Sequence, residues 1–202
     1  MSPAADVRLP RNVEIETLLG EGRRSRVYRA RFDGRDVAIK LYRERYVRSY
    51  RERLGISIAR FEFDRNLAFC RTAGLEAYAV SPLAVIGEDD GMDAAFVQER
   101  ITEAVSLEVV RRQEGGVPRE SLAALREIVR IASNAGLYDI DLDPRNILLR
   151  DTAEGWLPVL HDFNLIPQHL RAPNPLVAFL YRTGLRHPSH RDRRWLRRLE
   201  RL

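Results

Sequence analysis

The chain has 202 residues, 45% of them hydrophobic and 31% charged, and a formal net charge of +5. That is enough to bury one core or two small lobes, so one unit is expected rather than a string of domains. No apolar run approaches the roughly 20 residues of a membrane-spanning helix, MSPAADVRLPRN lacks the apolar centre of a secretion signal, and a lone cysteine, Cys70, excludes an internal disulfide. A cytoplasmic protein is the expectation.

In chain order, VEIETLL and VYRARF read as strands around Leu19-Gly20-Glu21-Gly22-Arg23-Arg24-Ser25-Arg26-Val27-Tyr28. This is a hairpin whose glycine-rich turn can cover phosphates. It meets the pattern G-x-G-x-x-G-x-V at Gly20, Gly22 and Val27, with Ser25 in place of the third glycine. The next strand is Asp36-Val37-Ala38-Ile39-Lys40. Of 34 lysines and arginines, Lys40 alone is a lysine. A chain that uses arginine everywhere else has kept one compact ammonium, where a planar guanidinium would misplace its charge. The V-A-I-K strand pattern puts that ammonium on the α- and β-phosphates of ATP.

An arginine-rich stretch, RERYVRSYRERLGIS, follows. After it, ARFEFDRNLAFCRTAGL carries Phe63, Leu67 and Cys70 at helical spacing, with Gly74 as a stop and Cys70 facing the core. Glu62 on this helix is the first candidate to pair with Lys40, and Glu52 the second. AVSPLAVIG and DAAFVQERI read as strands joined by Glu88-Asp89-Asp90-Gly91. The second strand should lead into a hinge, where the backbone of Glu99 and Ile101 would meet an adenine edge. PRESLAALREIVRIASNAG, with proline first and glycine last, predicts an amphipathic core helix.

Tyr138-Asp139-Ile140-Asp141-Leu142-Asp143-Pro144-Arg145-Asn146-Ile147-Leu148-Leu149 has the form D-x-x-x-x-N followed by an apolar strand. In that form the aspartate orients and deprotonates an acceptor hydroxyl, and the asparagine binds magnesium. The strand Trp156-Leu157-Pro158-Val159-Leu160-His161 then ends in Asp162-Phe163-Asn164, a D-F-G with asparagine last. Asparagine tolerates positive φ better than other residues with a side chain. Asp162 becomes the second metal ligand. His187 and His190 have no cysteine or acidic cluster to complete a metal set and read as loop residues. HRDRRWLRRLERL reads as a terminal helix with Trp195, Leu196, Leu199 and Leu202 inward, its arginines open to weak contact with an anionic membrane.

Taken together, these motifs resemble the protein-kinase-like superfamily, and FEFDRNLAFCRTAGLEAYAVSPLAV, YDIDLDPRNILL and PVLHDFNL resemble the bacterial lipopolysaccharide-kinase type. The resemblance covers about residues 13 to 166 and extends to short kinase-like proteins of the PhoP regulatory network. It implies an α+β, two-lobed fold: an N-lobe of antiparallel sheet plus one helix over about 13–100, and a short, mainly helical C-lobe over about 101–202. Gly20, Gly22, Ser25, Val27, Ala38, Lys40, Glu62, Glu99 and Ile101 would hold ATP, Asn146 and Asp162 magnesium, and Asp141 would act on the acceptor.

Three features depart from the protein-kinase pattern. Asp143 stands where a serine/threonine kinase has a lysine, Asp139 stands for the loop histidine, and no A-P-E follows Asp162. The first of these weighs against a protein acceptor, and the resemblance implies a sugar or glycolipid hydroxyl instead, met peripherally at the inner face of the membrane. The alternatives are a nucleotide-binding pseudokinase and a minimal protein serine/threonine kinase. Arginine excess without an interleaved aromatic platform speaks against a nucleic-acid partner.

Overall fold

Alternating strands, a buried helix and short turns account for most of the first half of the chain. The structure is a computed structural model and describes residues 9–87, 94–153, 155–163 and 175–201. It divides into two compact units: Met1–Leu67 with Val80–Ile101, and Ala68–Ala79 with Thr102–Leu202.

The first unit is built on an antiparallel sheet of five strands in the order β1-β2-β3-β5-β4. These are β1 (Val13–Glu21), β2 (Ser25–Phe32), β3 (Arg35–Tyr42), β4 (Pro82–Ile86) and β5 (Ala95–Glu99). Residues opposite each other in an antiparallel ladder share a face. One face is therefore Tyr28, Ala30, Val37, Ile39, Ala95 and Val97, all buried in one apolar cluster. The other face carries Val27 opposite Lys40, Lys40 opposite Phe96, and Ala38 opposite Gln98.

Two helices follow β3. The arginine-rich stretch is α1 (Glu44–Leu54), a helix beyond the one expected beside this sheet, and it ends at Gly55 in the left-handed conformation. It contributes Tyr46, Val47 and Tyr50 to a cluster around Tyr42, Ile58 and Phe96. The next helix is α2 (Ile58–Cys70), which ends four residues before Gly74. Gly74 has φ +85° and donates its N–H to Glu76, so it serves a turn beyond the helix rather than the helix end. The acidic turn Glu88–Gly91 lies outside the described residues.

The second unit joins β6 (Ala104–Ser106), β7 (Ile147–Thr152) and β8 (Gly155–Leu160) to α3 (Leu107–Glu114), α4 (Arg119–Asn134), α5 (Pro175–Arg182) and α6 (His190–Leu199). Ser106 caps α3 by accepting from the Glu108 N–H, and Pro118 and Gly136 bracket α4. The core is centred on Leu107, Leu125, Ile128, Ile140, Leu149 and Leu160, all fully buried. Burying each such side chain stabilises the unit by roughly 1.5–3 kcal/mol. Cys70 packs against this core as a small apolar group, and Phe69 meets Phe163 at 4.7 Å between ring centroids. Leu196 and Leu199 of α6 pack inward with Trp195, as their spacing requires, while Leu202 is outside the described residues.

Candidate active site

β3 runs from solvent into the core, so Lys40 reaches its place near the strand's end with only 6% of its surface exposed. A buried ammonium needs a charged partner and further hydrogen bonds. Its Nζ donates to Glu62 Oε2 at 2.7 Å, and the Tyr42 hydroxyl donates to the same oxygen at 2.9 Å. Glu62 lies one turn into α2 and is 7% exposed, whereas Glu52 is an exposed residue of α1. Of the two carboxylates considered from sequence, the structure brings Glu62 to the lysine.

The glycine-rich hairpin is tighter than its motif suggests. β1 extends to Glu21 and β2 begins at Ser25, leaving Gly22, Arg23 and Arg24 as the turn, closed by the Gly22 N–H on the Ser25 carbonyl at 2.8 Å. Gly20 and Gly22 are not among the positive-φ residues, and a Cβ at Gly20 would meet nothing within 4 Å. The fold itself therefore does not require glycine at Gly20. Its bare backbone suits close approach of a ligand. Glu21 accepts from Arg26 at 2.9 Å and Arg43 at 2.6 Å, pinning the base of the turn. Gly20, Val27, Ala38 and Lys40 share one sheet face through the ladder, and Ser25, buried and opposite Tyr42, lies on it too. Glu99 ends β5, its N–H donated to the Ser81 carbonyl at 2.9 Å, and Ile101 is the last residue of the first unit.

Sequence reasoning missed Gln98. It is 5% exposed and lies on the Lys40 face, and its Oε1 has no hydrogen-bond partner among the described residues. A buried carboxamide oxygen without a donor costs about 1–3 kcal/mol. The signal was available: in β5, AFVQE, Gln98 is the polar residue that directly follows the apolar run Ala95–Val97.

In the second unit, residues 138–146 form an irregular loop before β7. Asp139 and Asp141 adopt φ of +63° and +52°, a left-handed conformation that aspartate tolerates better than most residues. The loop is held from α6. Asp192, 2% exposed, accepts the Asp139 N–H at 2.8 Å on one oxygen and the Ile140 N–H at 2.9 Å on the other. Beside it Arg191 donates to Asp139 Oδ2 at 2.6 Å. This is how the loop stands without the missing histidine: Asp139 in its place is tied to a guanidinium one helix away. Neither Arg191 nor Asp192 could be paired with the loop from sequence, since both lie more than 50 residues further on in an apparently solvated helix.

Burial pushes the Asp192 carboxyl up to about 7, and nearby Asp139 adds to the rise against the two amide donors. The folded value lies above the ordinary 3.8, so the folded state retains a proton that the unfolded chain loses. Stability should therefore fall as pH rises from about 4 to about 7, by up to roughly 4 kcal/mol, and level off above. Asp192→Asn cannot titrate, so the stability difference between wild type and this variant should shift over that interval against the wild type. Urea unfolding at pH 4.5, 6 and 8 measures it, and a pH-independent difference would contradict it.

At the far end of the loop, the Asn146 Nδ2 donates to the Asp141 carbonyl at 3.4 Å. That leaves Oδ1, an oxygen suited to a hard cation, without a hydrogen bond among the described residues. The Asn146 carbonyl accepts the His161 N–H at 3.2 Å, and Ile147 pairs with Leu160, so Asn146 and Asp162 stand at one end of the β7–β8 hairpin. Two oxygen side chains fit magnesium brought in on a nucleotide, because that ion is held by one or two protein groups plus phosphates. No cluster of three or more acidic, histidine or cysteine residues suited to a metal occurs among the described residues. His187 bonds Ser189 at 2.7 Å and His190 lies 3.1 Å from Arg186, which gives both local roles. Asn164 lies outside the described residues.

Asp143 accepts from Arg145 through both its oxygens, at 2.9 and 2.7 Å. The Arg145 guanidinium holds the Asp143 carboxyl below its usual range and also feels the charge of Asp141. A cation is thus restored to the loop two residues after the lysine position.

Comparison with known proteins agrees with this geometry. No curated protein matches the chain. Among solved structures, it is similar to a point mutant of the PknI kinase domain of Mycobacterium tuberculosis, with a TM-score of 0.59 at 18% identity over 97% of this chain and 75% of that one. That likeness shows the α+β, two-lobed kinase fold. The profile of the lipopolysaccharide kinase (Kdo/WaaP) family matches residues 16–172, from β1 past Asp162, and the chain belongs to that family.

Proposed function

We propose that the protein transfers the γ-phosphoryl group of magnesium-ATP to a hydroxyl of a sugar or lipopolysaccharide-type glycolipid. The observation that carries this reading is the burial of the only lysine, paired with Glu62, on the sheet face that also carries the glycine hairpin. Lys40 would hold the α- and β-phosphates, and Gly20 and Gly22 would let backbone amides approach them. Gln98 Oε1 offers the exocyclic amine of adenine the donor-to-acceptor match it lacks. Magnesium, when bound, neutralises charge building on the transferring group. Asn146 and Asp162 would hold it through oxygen.

In the transfer, the acceptor oxygen forms a bond to the γ-phosphorus as the bond to the β-γ bridging oxygen breaks. Asp141 takes the hydroxyl proton, and ADP leaves with the bonding pair. Asp192 and Arg191 act on Asp141 only by fixing the loop. A glycolipid acceptor places the reaction at the cytoplasmic face of the membrane, where ATP is present. The pseudokinase alternative has in its favour the departures at Asp139 and Asp143; the tie of Asp139 to Arg191 supports an ordered loop and with it the enzyme reading.

Nucleotide binding tests the metal and base assignments. ATP should raise the melting temperature, and magnesium should raise it further; at a hundredfold excess over Kd the stabilisation is about 2.7 kcal/mol. Asp162→Asn should abolish the magnesium-dependent increment, His187→Asn should not, and Gln98→Leu should narrow the preference for ATP over GTP by about tenfold. An increment indifferent to Asp162 would count against the metal site.

A further inference from the structure

Arg191, Arg194, Trp195 and Arg198 recur at i, i+3, i+4 and i+7 on α6, so they form one stripe, and together they line a concavity of about 210 Å³. The helix is anchored from its buried side by Asp192 and Leu199 and tied to the loop by Arg191, so the fold does not call for a basic residue at Arg194 or Arg198. Three like charges along one stripe repel one another. Among the described residues, Arg191 is the one member of the stripe in direct ion-pair contact with a carboxylate, Asp139. Arg198 lies against the Trp195 ring at 5.2 Å, and Arg194 has no hydrogen bond or ion pair among the described residues.

The stripe also lies beside the loop. Arg191 is bonded to Asp139, two residues before Asp141, and the charge of Arg198 is felt by Asp143, two residues after it. We propose that this stripe is an anion-binding subsite for the acceptor, taking a phosphate or carboxylate carried on a sugar while Trp195 gives the ring an apolar face. Arg194 and Arg198 hold the anion by charge-assisted hydrogen bonds, and Arg191 keeps its tie to the loop. The acceptor is thereby selected for a negative group close to the hydroxyl that reacts. Assigning the anion to the acceptor rests on the phosphotransfer reading, but the binding itself does not.

The sequence had suggested membrane contact by Arg193, Arg194, Arg197 and Arg198 as one basic patch. Helical geometry splits it, because Arg193 and Arg197 lie outside the stripe. A concave, tryptophan-backed site fits one discrete anion better than a flat headgroup layer.

The emission of Trp195 reports on the site directly. The full chain is titrated with inorganic phosphate, glucose 6-phosphate, glucuronate, glucose and phosphatidylglycerol vesicles, using Trp195→Phe to subtract Trp156. The expected result is a saturable, salt-sensitive change with glucose 6-phosphate and glucuronate, a weaker one with phosphate, and none with glucose. Affinity should fall at least tenfold in Arg194→Gln/Arg198→Gln and hold in Arg193→Gln/Arg197→Gln. Equal affinity in the two double variants, or no saturable change with any soluble anion, would overturn the subsite. A response to vesicles alone would overturn it in favour of a lipid surface. Retained anion binding in a protein that transfers no phosphate would instead sink the phosphotransfer reading and leave the subsite standing.

Discussion

If the protein transfers phosphate as proposed, Asp141→Asn should lower that transfer by about 10²–10⁴-fold, the range a positioned general base contributes, while magnesium-ATP binding should stay within about twofold. The substitution is close to isosteric, and asparagine accepts the left-handed backbone that Asp141 adopts at φ +52°. The neighbouring contact is kept too, since Asn146 bonds the backbone carbonyl at this position and not the carboxylate. What is lost is the negative charge and its capacity to take a proton. Single-turnover transfer and nucleotide titration on the same preparation separate the two effects. Nucleotide affinity that falls in parallel with transfer would place Asp141 on the phosphates instead of the acceptor.

Glu62→Ala destabilises the protein by about 3–5 kcal/mol, because Lys40 keeps its charge in a buried site with its carboxylate removed. The Tyr42 hydroxyl loses its acceptor in the same change. For a chain of this size that is a fall in Tm of roughly 10 °C. Lys40→Met/Glu62→Leu should recover most of the stability, since replacing both charges with apolar groups of similar volume is often neutral or better. It should not recover nucleotide affinity. Thermal unfolding with and without ATP reads both quantities, and a Glu62→Ala protein as stable as wild type would mean that the pair is relaxed or solvated in solution.

The contrast between these two sites explains what was legible in the sequence. Lys40, Asp141, Asn146 and Asp162 stand in short motifs whose spacing follows from strand and turn geometry, so they could be placed without coordinates. Glu62 could be narrowed to two candidates by helical periodicity, but only packing decides which turn of which helix reaches a lysine 22 residues away. α1 was unreadable because the arginines that make it soluble also blur the stripe of Tyr46, Val47 and Tyr50. Asp192 was hidden for the opposite reason. Among so many arginines its carboxylate looks like a surface counter-charge, and only the fold shows it buried beneath the loop. Gln98 was passed over because its strand was read for backbone and not for the direction of its side chains.

The central claim is transfer of phosphate to a glycolipid hydroxyl. It is tested most directly by incubating the purified full chain with γ-labelled ATP, magnesium and fractionated cell-envelope glycolipids or proteins, in parallel with Asp141→Asn. The expected result is label in the glycolipid fraction with wild type, none above background with the variant, and none when magnesium is chelated. Label that appears only in protein, or that appears equally with Asp141→Asn, would contradict it.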